Sequence, residues 1–476
     1  MWDFFVKLTG WLWGIPLLIA ITLTGIIFSV RSKFFQFRYF GSILTRPFKK
    51  DPEIPDSKQK LTPFQAVSIA IGGSVGVSNI SGVGTAIATG GPGALFWLWI
   101  AALLGMIIKM AEVTLAVYYR STDKEGNHFG GPTYYMEKGL GIERGFKGWK
   151  VLAVVFGRGI FITFFITLQN YTVAEAVGST FGINYMIPSI AMVILVYAII
   201  LGGLKKVGLI ASYLVPFMCL FYLVCVLIVL LMHLGEVPGA FAQIFRAAFT
   251  GQAAMGGFLG ATVTQAIRLG FARSVYSNEA GWGTSPMVHA TAETNHPVKQ
   301  GMMGAFEVFV DTLIVCTATG LLVIVTGLWN EGLTGATLTL TALEQNIGGF
   351  ARIVVAFSIF LFGLTTATGW YTYYYTLLNH AFKDGKKKEL IMNLYNYTVP
   401  LPGMILTLIT IYVGSTPAEL WTIADFSSVI PTFVNVVVVL VLGKQFIALL
   451  KDYEARYNGR GTVDPNFKLF FDDRLK

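Results

Sequence analysis

Charge is what this chain is shortest of. Lys, Arg, Asp and Glu make up 13% of its 476 residues against 54% hydrophobic, and the mean hydropathy is +0.63. Soluble domains carry roughly 25% charged residues, so a water-soluble globular fold is excluded. Cysteine is scarce as well. Cys219, Cys225 and Cys316 all fall inside apolar runs, which leaves no disulfide framework and makes them small core hydrophobes. His128, His233, His289, His296 and His380 are scattered without metal-ligand spacing or a nucleophile–base grouping, so the chain does not read as an enzyme. No basic stripe lies on a soluble element, which argues against nucleic acid as a partner. The net charge of +9 instead fits loops facing the cytoplasm beside anionic headgroups.

What the chain does have is apolar runs, and about 20 residues suffice to cross a bilayer. They recur at 11–30, 63–89, 93–118, 150–180, 185–203, 207–233, 256–290, 300–327, 350–382, 391–413 and 417–450. This predicts eleven transmembrane helices in one all-α integral membrane domain over 1–476, with an amphipathic interfacial piece near 239–249 and a tail over 451–476. The first run carries its basic cluster after the apolar stretch and has no small-residue cleavage site, so it reads as a retained helix and not a signal peptide. Lys and Arg crowd 31–62, 119–149, 204–206, 383–390 and the tail, and are absent from 90–92, 181–186, 234–238, 328–349 and 414–416. Basic loops stay in the cytoplasm. The expectation is therefore a multi-pass plasma (inner) membrane protein with its amino terminus outside and its carboxyl terminus inside.

Within 63–89, the run Gly72-Gly73-Ser74-Val75-Gly76-Val77-Ser78-Asn79 is a poor recipe for an unbroken helix. Glycine costs about 1 kcal/mol in a helix interior, and backbone groups freed in hydrocarbon need partners. Such a break persists where it lines a cavity, as in secondary transporters that hold ions and small solutes on unwound backbone. A counterpart lies in 256–290, where Arg268-Leu269-Gly270-Phe271-Ala272-Arg273-Ser274 interrupts the apolar run, followed by Asn278-Glu279-Ala280-Gly281-Trp282-Gly283. Five spans follow from each break, 63–233 and 256–450, and the loop charges give the two sets opposite directions. That is an inverted repeat with the helix 11–30 standing outside it. Gly91, Gly93, Gly202 and Gly203 suit close helix packing equally well.

Asn79-Ile80-Ser81-Gly82-Val83-Gly84-Thr85-Ala86-Ile87, Gly90-Gly91-Pro92-Gly93-Ala94, Ser277-Asn278-Glu279-Ala280-Gly281, His296-Pro297-Val298-Lys299-Gln300-Gly301 and Phe306-Glu307-Val308-Phe309-Val310-Asp311-Thr312 resemble the sodium:alanine/glycine symporter family of the amino acid–polyamine–cation superfamily. The resemblance implies a LeuT-like 5+5 inverted repeat and Na⁺-driven uptake of small neutral amino acids, with Na⁺ as the co-transported ion and no organic cofactor. It also implies a sodium site on the carbonyls of Gly72, Val75 and Phe362 and the hydroxyls of Thr365 and Thr366. Those hydroxyls also suit bonds back to their own helix. The chain departs from the family at Ser78, Trp282 to Pro286 and the aromatic run Gly369 to Tyr375.

The chemistry of an amino acid picks out further residues. Free amides around Val77, Ser78 and Asn79, with Ser74 in the break, suit a carboxylate at a helix amino terminus. Asn79 equally suits a helix cap. Acceptors for an ammonium are the carbonyls near Gly270 and the side chain of Gln169, an amide in an apolar span that is otherwise an interhelical bond; Asn170 and Gln265 read as structural. Trp370 lies one turn after Thr366 on the same face, where it either caps a small pocket, favouring alanine or glycine, or packs in the core. Arg273 and Glu279 are candidates for a cytoplasmic gate. The alternatives are a proton-coupled carrier or exchanger of the same fold for a different amino acid such as glutamine, and an ion channel. A channel needs a continuous polar pore, whereas the polar residues here cluster at one depth. A monomer in the lipid bilayer suffices for the symporter reading.

Overall fold

The computed structural model describes residues 2–49, 51, 60–250, 263–382, 385–413 and 417–474. The described residues are helical but for one two-stranded hairpin, Ser121–Thr122 with His128–Phe129, and short turns and links. Among the described residues seven helices are long and apolar enough to cross a membrane, or nine when each of two bent pairs counts as one span. Met186–Ile200 is apolar but shorter. The expected eleven spans are thus reached in part, each expected range containing helix. The span 256–290 is described only from Val263, and the loop 414–416 lies outside the described residues.

Local chemistry explains where the helices start and stop. Thr62 and Gln65 close a capping box at the start of Pro63–Ser74, with Gln65 N–H donating to the Thr62 hydroxyl (3.2 Å) and Thr62 N–H to the Gln65 side chain (3.1 Å). That satisfies two otherwise orphaned donors. Pro63 at the first turn costs nothing there. The helix stops at Ser74, a second begins at Val77 and ends at Gly90, and the two meet at 46°. Only Val75 and Gly76 leave the helix, a narrower break than the eight residues of the expectation.

Three other boundaries differ from expectation. The first span begins at Trp2 instead of 11 and is kinked at Trp13 and Gly14, between Trp2–Leu12 and Ile15–Arg31. The span expected over 150–180 is interrupted at Ile166 to Leu168, between Trp149–Phe165 and Gln169–Phe181. The last expected span, 417–450, divides into Pro417–Val441 and Gly443–Asn458.

The stretch Arg268 to Ser274, expected to unwind, lies inside the continuous helix Val263–Asn278. A Cβ on Gly270 would sit 2.4 Å from the Ala94 carbonyl oxygen and 2.8 Å from Trp97, so its glycine serves a tight helix crossing. The chain unwinds later, at Glu279 to Ser285, where Glu279, Gly281 and Gly283 take φ of 54°, 92° and 78°. Glycine adopts such angles without steric cost; Glu279 is the strained member.

The basic segments meet at one end of the bundle. Leu61 bridges to Ala292, and Glu293 N–H donates to the Leu61 carbonyl (3.0 Å). Lys60 pairs with Glu293 (2.5 Å), as does His128 (3.2 Å), while Lys205 donates to the Lys60 carbonyl and to Gln65 (3.1 Å). The tail folds back onto the same end: Lys138 holds Asp472 (2.6 Å), Arg474 holds Glu143 (2.8 Å), and the Phe471 ring packs on Tyr119 (5.4 Å between centroids). The amphipathic helix Val237–Phe249 lies against Gly93–Tyr118, with the Trp97 indole donating to the Ala248 carbonyl (3.0 Å).

Candidate functional site

A cavity of about 560 Å³ lies beside the first break. Its walls come from Gly73, Ser74, Gly76, Val77 and Ser78 of the broken helix, Ile166 to Gln169 of the second interrupted span, Thr366 and Trp370 of Phe350–Ala381, and Tyr276, Glu279 and Trp282 at the second break. Toward the end poor in Lys and Arg it is bordered by Thr85, Glu175 and Ala336. The Leu61, Lys60 and Glu293 contacts lie at the basic end of the bundle. Six of the eight sequence-derived substrate residues line the cavity: Ser74, Val77, Ser78, Gln169, Thr366 and Trp370.

The other two stand elsewhere. Gly270 is packed against the Gly93–Tyr118 helix and its carbonyl belongs to an unbroken helix, because the unwinding falls later in the chain. Asn79 is fully buried, and its side chain takes the capping role: Gly76 N–H donates to its Oδ1 (2.9 Å), while its Nδ2 donates to the Ser277 hydroxyl (2.8 Å) and Asp311 Oδ1 (2.7 Å). Asp311 sits in a π-helical stretch, Phe309–Cys316, whose wider turn carries its carboxylate to the first break. Asn170 also lies on the cavity wall, and its side chain receives the Ser189 and Thr407 hydroxyls.

The five oxygens proposed for sodium come from two crossing segments. The Thr366 hydroxyl donates to the Gly72 carbonyl (3.2 Å) across the break. The Thr365 hydroxyl is back-bonded to the carbonyls of Leu361 (3.1 Å) and Phe362 (3.0 Å), and its Cβ lies 3.1 Å from where a Cβ on Gly72 would be. The crossing is this close because it is glycine on both sides: a Cβ on Gly369 would lie 2.9 Å from Gly73 Cα. Val75 is buried at the turn, its N–H donating to Ile71 (2.7 Å). The amides of Val77 and Ser78 begin a helix and have no intrahelical acceptor.

The second break is held by a fully buried ionic network. Lys109 donates to the Glu279 carbonyl (3.0 Å) and the Ser285 hydroxyl (2.8 Å) and faces Glu307 at 3.5 Å. Ser285 donates onward to Glu307 Oε2 (3.0 Å). Gln300 donates to His289 Nδ1 (2.7 Å), which leaves the proton on Nε2 to donate to Glu307 (3.1 Å). Glu112 accepts from Gly281 N–H (3.0 Å) and from Asn435. A buried charge without such partners would be prohibitive, so the unwound backbone is fixed by the charges around it.

Arg273 and Glu279, considered from sequence for a cytoplasmic gate, both border the cavity. The Arg273 guanidinium lies over the Tyr276 ring (5.9 Å). Sequence reasoning missed the break at Ile166 to Leu168, which carries no glycine or proline signal, and the wall formed by Tyr276 and Trp282, two aromatics unremarkable in a membrane chain.

Comparisons with known proteins agree with this architecture. The chain is 38% identical to the sodium/alanine symporter AgcS of Methanococcus maripaludis, over 77% of this chain and 80% of AgcS. It is 35% identical to the putative sodium/proton-dependent alanine carrier protein YrbD of Bacillus subtilis, over 98% and 95%, and 34% identical to the probable sodium/glutamine symporter GlnT of that organism, over 98% and 92%. Its fold is similar to that of MhsT, solved in complex with L-phenylalanine, with a TM-score of 0.56 at 14% identity over 84% of this chain and 96% of MhsT. Residues 1–468 match the sodium:alanine symporter family, and the chain belongs to that family of multi-pass membrane transporters.

Proposed function

We propose that the protein is a Na⁺-coupled symporter that imports a small neutral amino acid, alanine or glycine, by alternating access on a 5+5 inverted repeat, acting as a monomer in the plasma membrane with its amino terminus outside. The observation that carries this reading is the Thr366 hydroxyl meeting the Gly72 carbonyl across the first break at the edge of the cavity. Na⁺ takes hard oxygen ligands. Here they are the carbonyls of Gly72, Val75 and Phe362 and the hydroxyls of Thr365 and Thr366, which exchange their helix bonds for the ion. The substrate carboxylate binds the amides of Val77 and Ser78 beside Ser74, at the positive end of the helix they open. Gln169 accepts from the ammonium, and the Trp370 ring bounds the side-chain pocket. Asn79 contributes by capping, which fixes the amides next to it.

Membership in the family and the printed name of AgcS favour Na⁺ and alanine. In this reading the cavity opens outward and the basic end is the closed cytoplasmic side. A second substrate is favoured by size: about 560 Å³ is far more room than alanine needs, and GlnT carries the name of a glutamine symporter. Uptake of radiolabelled alanine, glycine and glutamine into proteoliposomes, with and without a Na⁺ gradient, decides between them. Uptake indifferent to Na⁺ but abolished by a protonophore would replace the sodium reading with proton coupling.

A further inference from the structure

The helix that stands outside the repeat is attached to the cavity wall at one residue. Trp13 sits in the kink of the first span, where its indole N–H donates to the backbone carbonyl of Asp425 (2.9 Å). Its ring lies 5.5 Å from Tyr276 and 5.5 Å from Trp282. Asp425, Tyr276 and Trp282 all line the cavity, Asp425 on Pro417–Val441, Tyr276 at the end of the helix before the second break and Trp282 within that break. One side chain therefore stands behind the cavity and touches both of the elements that make this wall.

The packing around it is specific. Leu17, Ile21, Ile108, Val275, Trp282 and Val436 form an apolar cluster separate from the main core. At Gly281, whose φ is 92°, a Cβ would fall 2.8 Å from the Ile21 side chain. The first helix thus presses directly on the unwound backbone. One turn-pair before Trp13, the Phe5 ring packs on Phe426 (4.7 Å), next to Asp425. A helix kept only for membrane anchorage has no need of an indole hydrogen bond to the backbone of a cavity-lining residue, nor of ring contacts with both the helix before a break and the break itself.

We propose that Trp13 is a positioning residue for transport: its indole N–H and ring tie the Asp425 helix to the Tyr276–Trp282 wall, so that the extra helix governs how the cavity mouth opens and closes. This rests on the transport reading, and its test is built to fail separately from it. Ala336→Cys places a thiol at the mouth, and the three native cysteines are buried, so a membrane-impermeant maleimide reports the mouth alone. In that background Trp13→Phe keeps a ring and loses the N–H, and Trp13→Ala loses both. Losing one part-buried hydrogen bond changes an equilibrium by about fivefold, so labelling should speed up about fivefold in Trp13→Phe and further in Trp13→Ala. Maximal uptake of labelled alanine should fall about fivefold while its half-saturating concentration stays within about twofold, because Trp13 does not line the cavity. Equal labelling rates in the parent and Trp13→Phe overturn the clamp, and Trp13→Phe decides alone if Trp13→Ala does not reach the membrane. Absence of alanine, glycine and glutamine uptake in the parent would overturn the transport reading, with the labelling rates still judging Trp13.

Discussion

Gly369→Ala tests the sodium site without touching any of its oxygens. The added methyl would lie 2.9 Å from Gly73 Cα, 3.1 Å from Gly73 N and 3.1 Å from the Ile69 carbonyl oxygen, against 3.4–4 Å for ordinary contact. All three neighbours are backbone, so no rotamer change relieves the clash. The helices must part by about half an ångström, which carries the Thr366–Gly72 contact from 3.2 Å to about 3.7 Å, beyond hydrogen-bond range. Overpacking of this kind costs about 1–3 kcal/mol. If most of that falls on the ion, whose ligands straddle this crossing, the Na⁺ concentration for half-maximal alanine uptake rises about tenfold. The assay is initial uptake into proteoliposomes at saturating alanine over a Na⁺ series, normalised to inserted protein. Gly349→Ala, near the start of the same helix with nothing within 4 Å of its added methyl, should leave the curve in place. A folded Gly369→Ala protein with the parent's Na⁺ curve refutes the assignment of the ion to this crossing.

Thr366→Val removes one hydroxyl ligand while keeping the shape, and should abolish Na⁺ stimulation with normal insertion; a Na⁺ response like the parent's would remove Thr366 from the site. Trp370→Ala should slow alanine uptake and raise uptake of glutamine relative to alanine, read by competition against labelled alanine. Lys109→Met leaves Glu307 without its cation and should destabilise by about 3–5 kcal/mol, seen as a lower thermal midpoint in detergent; adding Glu307→Gln should recover part of it, and additive losses would show that the two groups are not coupled. Glu293, at the basic end, has its carboxyl held down to about 2 by the hydrogen bond from His128 and by Lys60, against the opposing effect of burial. Its contribution is complete above its ordinary 4.5 and lost as pH falls toward about 2. Glu293→Gln should therefore flatten the acid-side fall of the thermal midpoint, and an unchanged slope would exclude this latch.

The sequence showed most where composition and geometry coincide. Gly72 to Asn79 announced the first break because three glycines and two serines in an apolar run disfavour a continuous helix, and Thr365 and Thr366 stood out as adjacent hydroxyls in such a run. The second break was placed one helix turn and more too early. Arg268 to Ser274 looked disruptive for its charges, but polar side chains at a helix surface do not unwind it; positive φ at Gly281 and Gly283 does, and a sequence shows the glycine without the angle. Gly270 was misread for the same reason, since a glycine that admits a neighbouring helix and one that opens the chain look alike. The interruption at Ile166 to Leu168 left no trace because those side chains tolerate helix, and only tertiary packing breaks it there. Asn79 was legible as either ligand or cap, and burial beside Ser277 and Asp311 resolves its side chain as a cap.

The folded-back carboxyl end has a practical corollary. Phe470 lies beneath the Arg120 guanidinium (4.7 Å), and Arg120 in turn grips the Ala292 carbonyl (2.7 Å) next to the Leu61 bridge. An affinity tag or fluorescent reporter inserted next to Phe470 or Phe471 would therefore hang from the very strap that steadies this end of the bundle. A flexible spacer, or placement on the other terminus clear of Trp13, would let the reporter follow the carrier without changing its cycle.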